Sequence, residues 1–341
     1  MFVKETWYCA GWSEEFTQGV MRRLRIADQD LLFARNSEGA LYVLENRCAH
    51  RFAPLHMGRL TDQGVECGYH GMVFDASGKC VVNPHGNKVP PPGCRVRSFS
   101  LVERYGIVWV WLGKGVATPE TIPDLAAYDP AEAHVGRRYL HAKANYLLDV
   151  DNILDLSHIQ YLHPGTLGSA EVANAKVEVS RDGDRVLTRR VITGERLSPF
   201  LEKAFFVTPG QLVDRGLELC WHPTGVITQI IWVTPTGRPA AEGHTRRVLH
   251  IFTPETGRTS HYWFSLAYPR SLGSEFGALA ESGIAGLAVP FETEDLPMLE
   301  AQQEAIGTAA FEELNPALIK NDAAAVMARR IVRELMERES A

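Results

Sequence analysis

Two short segments carry the side chains best suited to chemistry. Cys48-Ala49-His50 is followed, after sixteen intervening residues, by Cys67-Gly68-Tyr69-His70. Together they offer two thiolates and two imidazoles. In a zinc finger both cysteines precede both histidines, and that is not the order here. The order suits a [2Fe–2S] cluster in which one iron takes both thiolates and the other both imidazoles, so each segment supplies one ligand to each iron. Neutral imidazoles in place of two thiolates raise the reduction potential well above that of an all-cysteine cluster. A structural zinc site of unusual order is the competing reading.

A second constellation lies downstream, where Asn152, Asp155, His158 and His163 precede Pro164. A helix is expected over residues 146–162, on which Asn152, Asp155 and His158 fall at i, i+3 and i+6 and share one broad face. His158 and His163 would be splayed by about 140° on an ideal helix. Pro164 disfavours helical geometry at His163, so that ring can swing back. Two histidines and one carboxylate form the triangular ligand face of non-haem Fe(II) oxygenases, with positions open for O₂ and substrate. The third ligand must come from elsewhere. Glu292, Glu294 and Asp295 all stand at the start of a later helix, and spacing does not choose among them.

The elements around these residues follow from patterning. Residues 41–44 read as a buried strand feeding the first loop. Asp75-Ala76-Ser77-Gly78 reads as the turn of a hairpin with the second loop at its base, and Pro90-Pro91-Pro92-Gly93 as a third loop shielding the cluster. Residues 114–130 are aperiodic and hold Pro119, Pro123 and Pro130, a linker signature. An all-β domain over 1–115 and a catalytic domain over 116–341 are expected. In the latter, strands over 138–144, 172–192, 217–221, 226–234, 247–253 and 260–267 precede helices over 274–287, 294–308 and one capped by Asp322. Strands first and helices after predict an α+β fold, a curved antiparallel sheet around helices.

The chain has 341 residues, 45% of them apolar, and a net charge of −6, which argues against nucleic-acid and anionic-membrane partners. The start lacks the apolar run of a signal peptide and no membrane-spanning run is present, so a cytoplasmic protein is expected. Cys9, Cys80, Cys94 and Cys220 read as small buried residues in a reducing compartment.

The two motifs resemble those of the oxygenase (α) component of Rieske non-haem iron oxygenases, in the same order and over essentially the whole chain. Length and ending are similar to the branch of vanillate O-demethylase, dicamba monooxygenase and toluenesulfonate methyl-monooxygenase. The resemblance implies that Cys48, His50, Cys67 and His70 hold a Rieske [2Fe–2S] cluster. It also selects Asp295 to join His158 and His163 on a mononuclear Fe(II), since 294–303 is similar to the vanillate enzyme around its iron ligand. It implies a helix-grip catalytic domain and a homotrimer in which Asp155 bridges His70 of one subunit to His158 of the next. Asn152 and Asp155 are then the catalytic residues beside the ligands.

The implied activity is O-demethylation of a vanillate-like aromatic acid to the phenol and formaldehyde. It uses O₂ and electrons from a separate NAD(P)H-dependent ferredoxin or flavin reductase, since no glycine-rich dinucleotide loop occurs here. Ring or methyl hydroxylation of another small aromatic acid is the alternative, and a Rieske electron carrier without oxygenase activity is the rival from another class. For the substrate's acid group, Gln229, His250 and His261 are candidate donors, with Trp232, Trp263 and Phe264 as walls. His250 is singled out because the run after it resembles dicamba monooxygenase, whereas the vanillate enzyme is acidic there.

Overall fold

A computed structural model describes residues 2–223 and 225–340. It divides into two compact units, Met1–Ile122 and Pro123–Ala341. The first unit is built on a six-stranded antiparallel sheet, in the order Trp7–Trp12, Ile107–Trp111, Ser98–Arg104, Leu41–Glu45, Gln29–Arg35, Met21–Ile26. A second sheet of four short strands, Arg59–Thr61, Gly64–Glu66, Val73–Phe74 and Cys80–Val82, holds the second Cys-His loop between its middle strands. Leu32, Leu44, Leu55, Val65 and Phe74 are fully buried in one core that includes Cys48 and Cys67.

One feature of this unit differs from the sequence reading. The segment from residue 114 onward, expected as linker, is tied to the first unit. Glu5 accepts from the backbone N–H groups of Lys114 and Gly115, and Trp7 Nε1 donates to the Thr118 carbonyl at 3.0 Å. The loop that carries the prolines at 90–92 meets the second Cys-His loop through His85, whose Nε2 lies 2.9 Å from the His70 carbonyl, while the prolines line a groove with Lys79 and Arg95.

The second unit carries a seven-stranded antiparallel sheet, in the order Ala133–Ala142, Thr259–Pro269, His244–Thr256, Val226–Pro235, Leu212–His222, Arg185–Arg196, Val177–Asp182. Inward side chains alternate along each strand. A bulge between Ile192 and Glu195, with Gly194 at φ +65°, brings Glu195 into the interior, where it is fully buried. Helix Glu275–Pro290 runs directly into a π-helical turn, Phe291–Asp295, and then into helix Leu296–Ile306. A terminal helix, Ala323–Ser340, follows the short turn Lys320–Asp322. No helix among the described residues is long and apolar enough to cross a membrane.

Candidate metal centres and the adjoining cavity

The two Cys-His loops close by the same pair of backbone hydrogen bonds. Cys48 N donates to the Ala53 carbonyl (2.9 Å) and Phe52 N donates back to Cys48 (3.0 Å). Cys67 N donates to Met72 (2.8 Å) and Gly71 N to Cys67 (2.9 Å). The fifth residue of each loop takes a positive φ, +59° at Phe52 and +68° at Gly71. The loops pack backbone to backbone, so that a Cβ on Gly58 would lie 1.9 Å from the Glu66 carbonyl oxygen. Cys48 and Cys67 are buried, whereas His50 is exposed and His70 half-buried, with their rings 4.6 Å apart. Burial pushes the Cys48 thiol up to about 11, with Cys67 against it. Two adjoining thiols inside and two adjoining imidazoles outside match what a cluster with unlike irons requires.

In the second unit the expected helix breaks. Helix Tyr146–Leu154 ends at Asp155, a turn Leu156–His158 follows, and a short helix Ile159–Leu162 leads to His163. Asp155 Oδ1 accepts from Ser157 N (2.9 Å) and Oδ2 from Ser157 Oγ (2.7 Å), so the carboxylate caps the new turn. It thus does not reach the His158 ring. His158 Nδ1 lies 2.7 Å from the Asp155 main-chain carbonyl instead, which leaves Nε2 facing Asp295 at 3.5 Å.

His163, with non-helical backbone before Pro164, places Nε2 at 3.1 Å from Asp295 Oδ1. The candidate donor atoms of His158, His163 and Asp295 all lie within 4.8 Å of one another. Asn152 Nδ2 donates to Asp295 Oδ1 at 3.0 Å. The neighbouring Glu294 contacts His163 Nδ1 and accepts from Thr166 Oγ1 at 2.9 Å. Burial alone would raise Asp295, but hydrogen bonds from His158 and His163 hold it down at about 2. Burial likewise works against charge on His163, and Asp295 with Glu294 nevertheless lifts its pKa above the ordinary value. A site that keeps Asp295 ionised and lifts His163 favours a bound cation, and two imidazoles with one carboxylate are donors suited to a divalent iron.

The trio borders a cavity of about 750 Å³ of non-atom space, mouth included. Its floor is the inward face of three strands, with Leu217, Gln229, Ile231, Val248 and His250 on it. His250 is fully buried, with Nδ1 2.7 Å from the Tyr262 hydroxyl and Nε2 3.1 Å from Gln229 Oε1. Burial drives its pKa to about 3, so the ring is neutral.

Trp232 is not among the residues lining the cavity. It stands three positions from Gln229, on the other face of the strand, where its ring fills the space beside Gly216. Nor do His261, Trp263 and Phe264 line it, and His261 Nδ1 lies 2.8 Å from the Tyr139 hydroxyl. Sequence reading passed over Arg215 and Arg246, which do line it. Arg246 falls just outside the expected strand, yet it alternates in phase with Val248 and His250.

Residues 6–100 match the Rieske [2Fe-2S] domain and residues 142–338 the vanillate O-demethylase oxygenase C-terminal domain. The chain belongs to the Rieske oxygenases. It is an oxygenase component, with a Rieske cluster and one mononuclear iron. Among curated relatives, this Rieske oxygenase is 36% identical to the toluene-4-sulfonate monooxygenase system iron-sulfur subunit of Comamonas testosteroni, over 100% of this chain and 99% of the relative. It is 35% identical to the dicamba O-demethylase oxygenase component of Stenotrophomonas maltophilia, again over 100% and 99%. It is 30% identical to a vanillate O-demethylase oxygenase subunit from a Pseudomonas species, over 99% and 96%. The crystal structure of dicamba monooxygenase bound to 3,6-dichlorosalicylic acid superposes with a TM-score of 0.89, at 33% identity, covering 100% of this chain and 99% of that one.

Proposed function

We propose that this Rieske oxygenase O-demethylates a methoxylated aromatic acid, with O₂ and electrons from a separate NAD(P)H-dependent reductase. Cys48, His50, Cys67 and His70 would hold the cluster, and His158, His163 and Asp295 the iron. When bound, the cluster supplies single electrons and the iron supplies the place where O₂ is reduced. The observation that carries the reading is the largely apolar cavity bordered by His158, His163 and Asp295, of a size for one small arene. The dicamba and vanillate relatives support the choice of reaction.

The chain's own part is to bind, orient and exclude water. Asn152 fixes the Asp295 carboxylate, Glu294 fixes the His163 ring, and the Asp155 carbonyl fixes that of His158. Ile153, Leu156 and Phe291 would hold the methoxy group in a dry pocket beside them. One oxygen atom enters the methyl carbon and the other leaves as water, at the cost of one NAD(P)H. The hemiacetal so formed collapses to phenol and formaldehyde. We assign the protein a homotrimeric state, with Asp155 at the subunit boundary.

The toluene-4-sulfonate relative favours a second reading, hydroxylation of an aryl methyl group. Both are tested by supplying reductase, NADH and O₂ with vanillate, 4-methoxybenzoate, 2-methoxybenzoate or toluene-4-sulfonate. Formaldehyde in step with O₂ uptake is expected from at least one methoxyarene. Substrate-dependent uptake without formaldehyde from any of them overturns demethylation, and a hydroxymethyl product from the sulfonate establishes the second reading.

A further inference from the structure

Arg246 is 7% exposed in a cavity wall that also contains Leu201, Ala204, Phe205 and Leu287. Its guanidinium lies 4.9 Å from the Phe205 ring centroid, and Nη2 donates to the Ala204 carbonyl. Among the described residues none offers it a carboxylate. Arg215, two strands away on the same cavity, is the contrast. Glu195 accepts from its Nε at 2.8 Å and its Nη2 at 2.5 Å, and both side chains are buried.

A guanidinium keeps its proton even where burial pulls its pKa down, as it does here. A charge so placed is costly unless something pairs with it. Its planar fork carries five N–H donors; the Ala204 carbonyl engages one end and the Tyr268 phenol lies beside it, its ring centroid 5.8 Å away, and both are neutral. His250 is already committed within the protein on both ring nitrogens, and it is neutral. Among the described residues that line the cavity, Arg246 is therefore the cation without a carboxylate partner, and it is not at the histidine that sequence reading selected.

We propose that Arg246 anchors the substrate's acid group, a carboxylate or a sulfonate, at the end of the arene remote from the reacting methyl. This rests on the aromatic-acid reading above and names the residue and the ring position it requires. Arg246 shares a strand face with His250 but stands four residues away, about 13 Å along an extended chain. His250 is the end nearer the donor trio, since its ring lies 5.9 Å from Phe291, which opens the turn that closes on Asp295. The guanidinium lies toward Gly283, where an added Cβ would stand 3.7 Å from Nη1, and Gly283 precedes Phe291 by eight residues of helix, about 12 Å. An acid group para to the reacting substituent fits this separation, and an ortho one does not.

The test is anaerobic calorimetry on the holoenzyme with 4-methoxybenzoate, toluene-4-sulfonate, 2-methoxybenzoate and uncharged 4-methoxybenzamide. Wild-type protein should bind at least one of the two 4-substituted acids at least about tenfold more tightly than the amide and than 2-methoxybenzoate. Arg246→Gln keeps a donor for Ala204, and it should erase that preference while the amide's affinity stays within about threefold. A wild type without the preference overturns the proposal. So does a variant that retains it, or one that weakens acid and amide alike as a purely structural role would.

Should Arg246→Gln lose the cluster absorption, Arg246→Lys decides. A lowered acid-to-amide ratio with unchanged amide binding supports the anchor, and an unchanged ratio refutes it. Formaldehyde measured on the same acids separates the two readings. Acid preference lost in the variant without formaldehyde from any methoxyarene upholds Arg246 and sinks demethylation. Formaldehyde formed by both proteins at equal KM does the reverse.

Discussion

His163 is gripped on both ring nitrogens by consecutive residues, Glu294 on Nδ1 and Asp295 on Nε2. A carboxylate on the outer nitrogen fixes the tautomer and raises the basicity of the inner one. Glu294→Gln keeps the shape but not the charge. It should weaken iron binding by roughly tenfold or more, read by competition with a ferrous chelator, and leave the cluster absorption unchanged. Equal affinity in the two proteins would remove Glu294 from the site. Spacing could not divide the labour between these two acids, because adjacent residues on a regular helix point about 100° apart and nothing in 291–295 announces a π turn.

Asp149 belongs to neither motif. It is 3% exposed, its Oδ2 accepts from Ser260 Oγ at 2.6 Å, and burial raises its pKa to about 8. Between about pH 4 and pH 8 the folded chain therefore holds a proton that the unfolded chain has released. Its contribution to stability falls as pH rises, by about 1.4 kcal/mol per unit. Asp149→Asn should melt higher than the wild type at pH 8.5 and with a flatter pH dependence from 5 to 8. Parallel melting profiles for the two proteins would show that Asp149 ionises normally.

At the scale of elements, the helix expected over 146–162 failed at Asp155 for a local reason. Aspartate and serine side chains compete for nearby backbone N–H groups, and Asp155 with Ser157 does so here. That signal was present in the sequence, as was strand parity, which already forbade Gln229 and Trp232 from sharing a face. The strand before Cys48, the hairpin around Asp75–Gly78 and the release of His163 by Pro164 followed from patterns a few residues long, and the structure has them all. What could not be read was the approach of one loop to another. Gly58→Ala sets a methyl group against the Glu66 carbonyl, with the Gly68 nitrogen 2.9 Å away, and neither is a flexible side chain. Loss of most cluster absorption is expected, while Gly257→Ala, which meets nothing within 4 Å, should be neutral. A fully coloured Gly58→Ala protein would mean that the loops do not depend on this contact.

For the whole molecule, the order of strands before helices was enough to predict the α+β catalytic unit. The division after Ile122 was not legible, because it depends on Glu5 and Trp7 reaching backbone more than a hundred residues away. The assigned homotrimer predicts a light-scattering mass near three times 37.9 kDa. Asp155→Asn, which can still cap Ser157, should keep that mass and the cluster spectrum but lose most turnover; full turnover would take Asp155 out of the coupling between centres. The hold of Glu294 on His163 has one more consequence, for upkeep. A ferrous ion lost to oxidation or to a chelator leaves behind a ring already aimed and a carboxylate already ionised, so the vacancy is shaped for its own refilling. The oxygenase should regain its activity on simple addition of Fe(II), as a part exchanged in service.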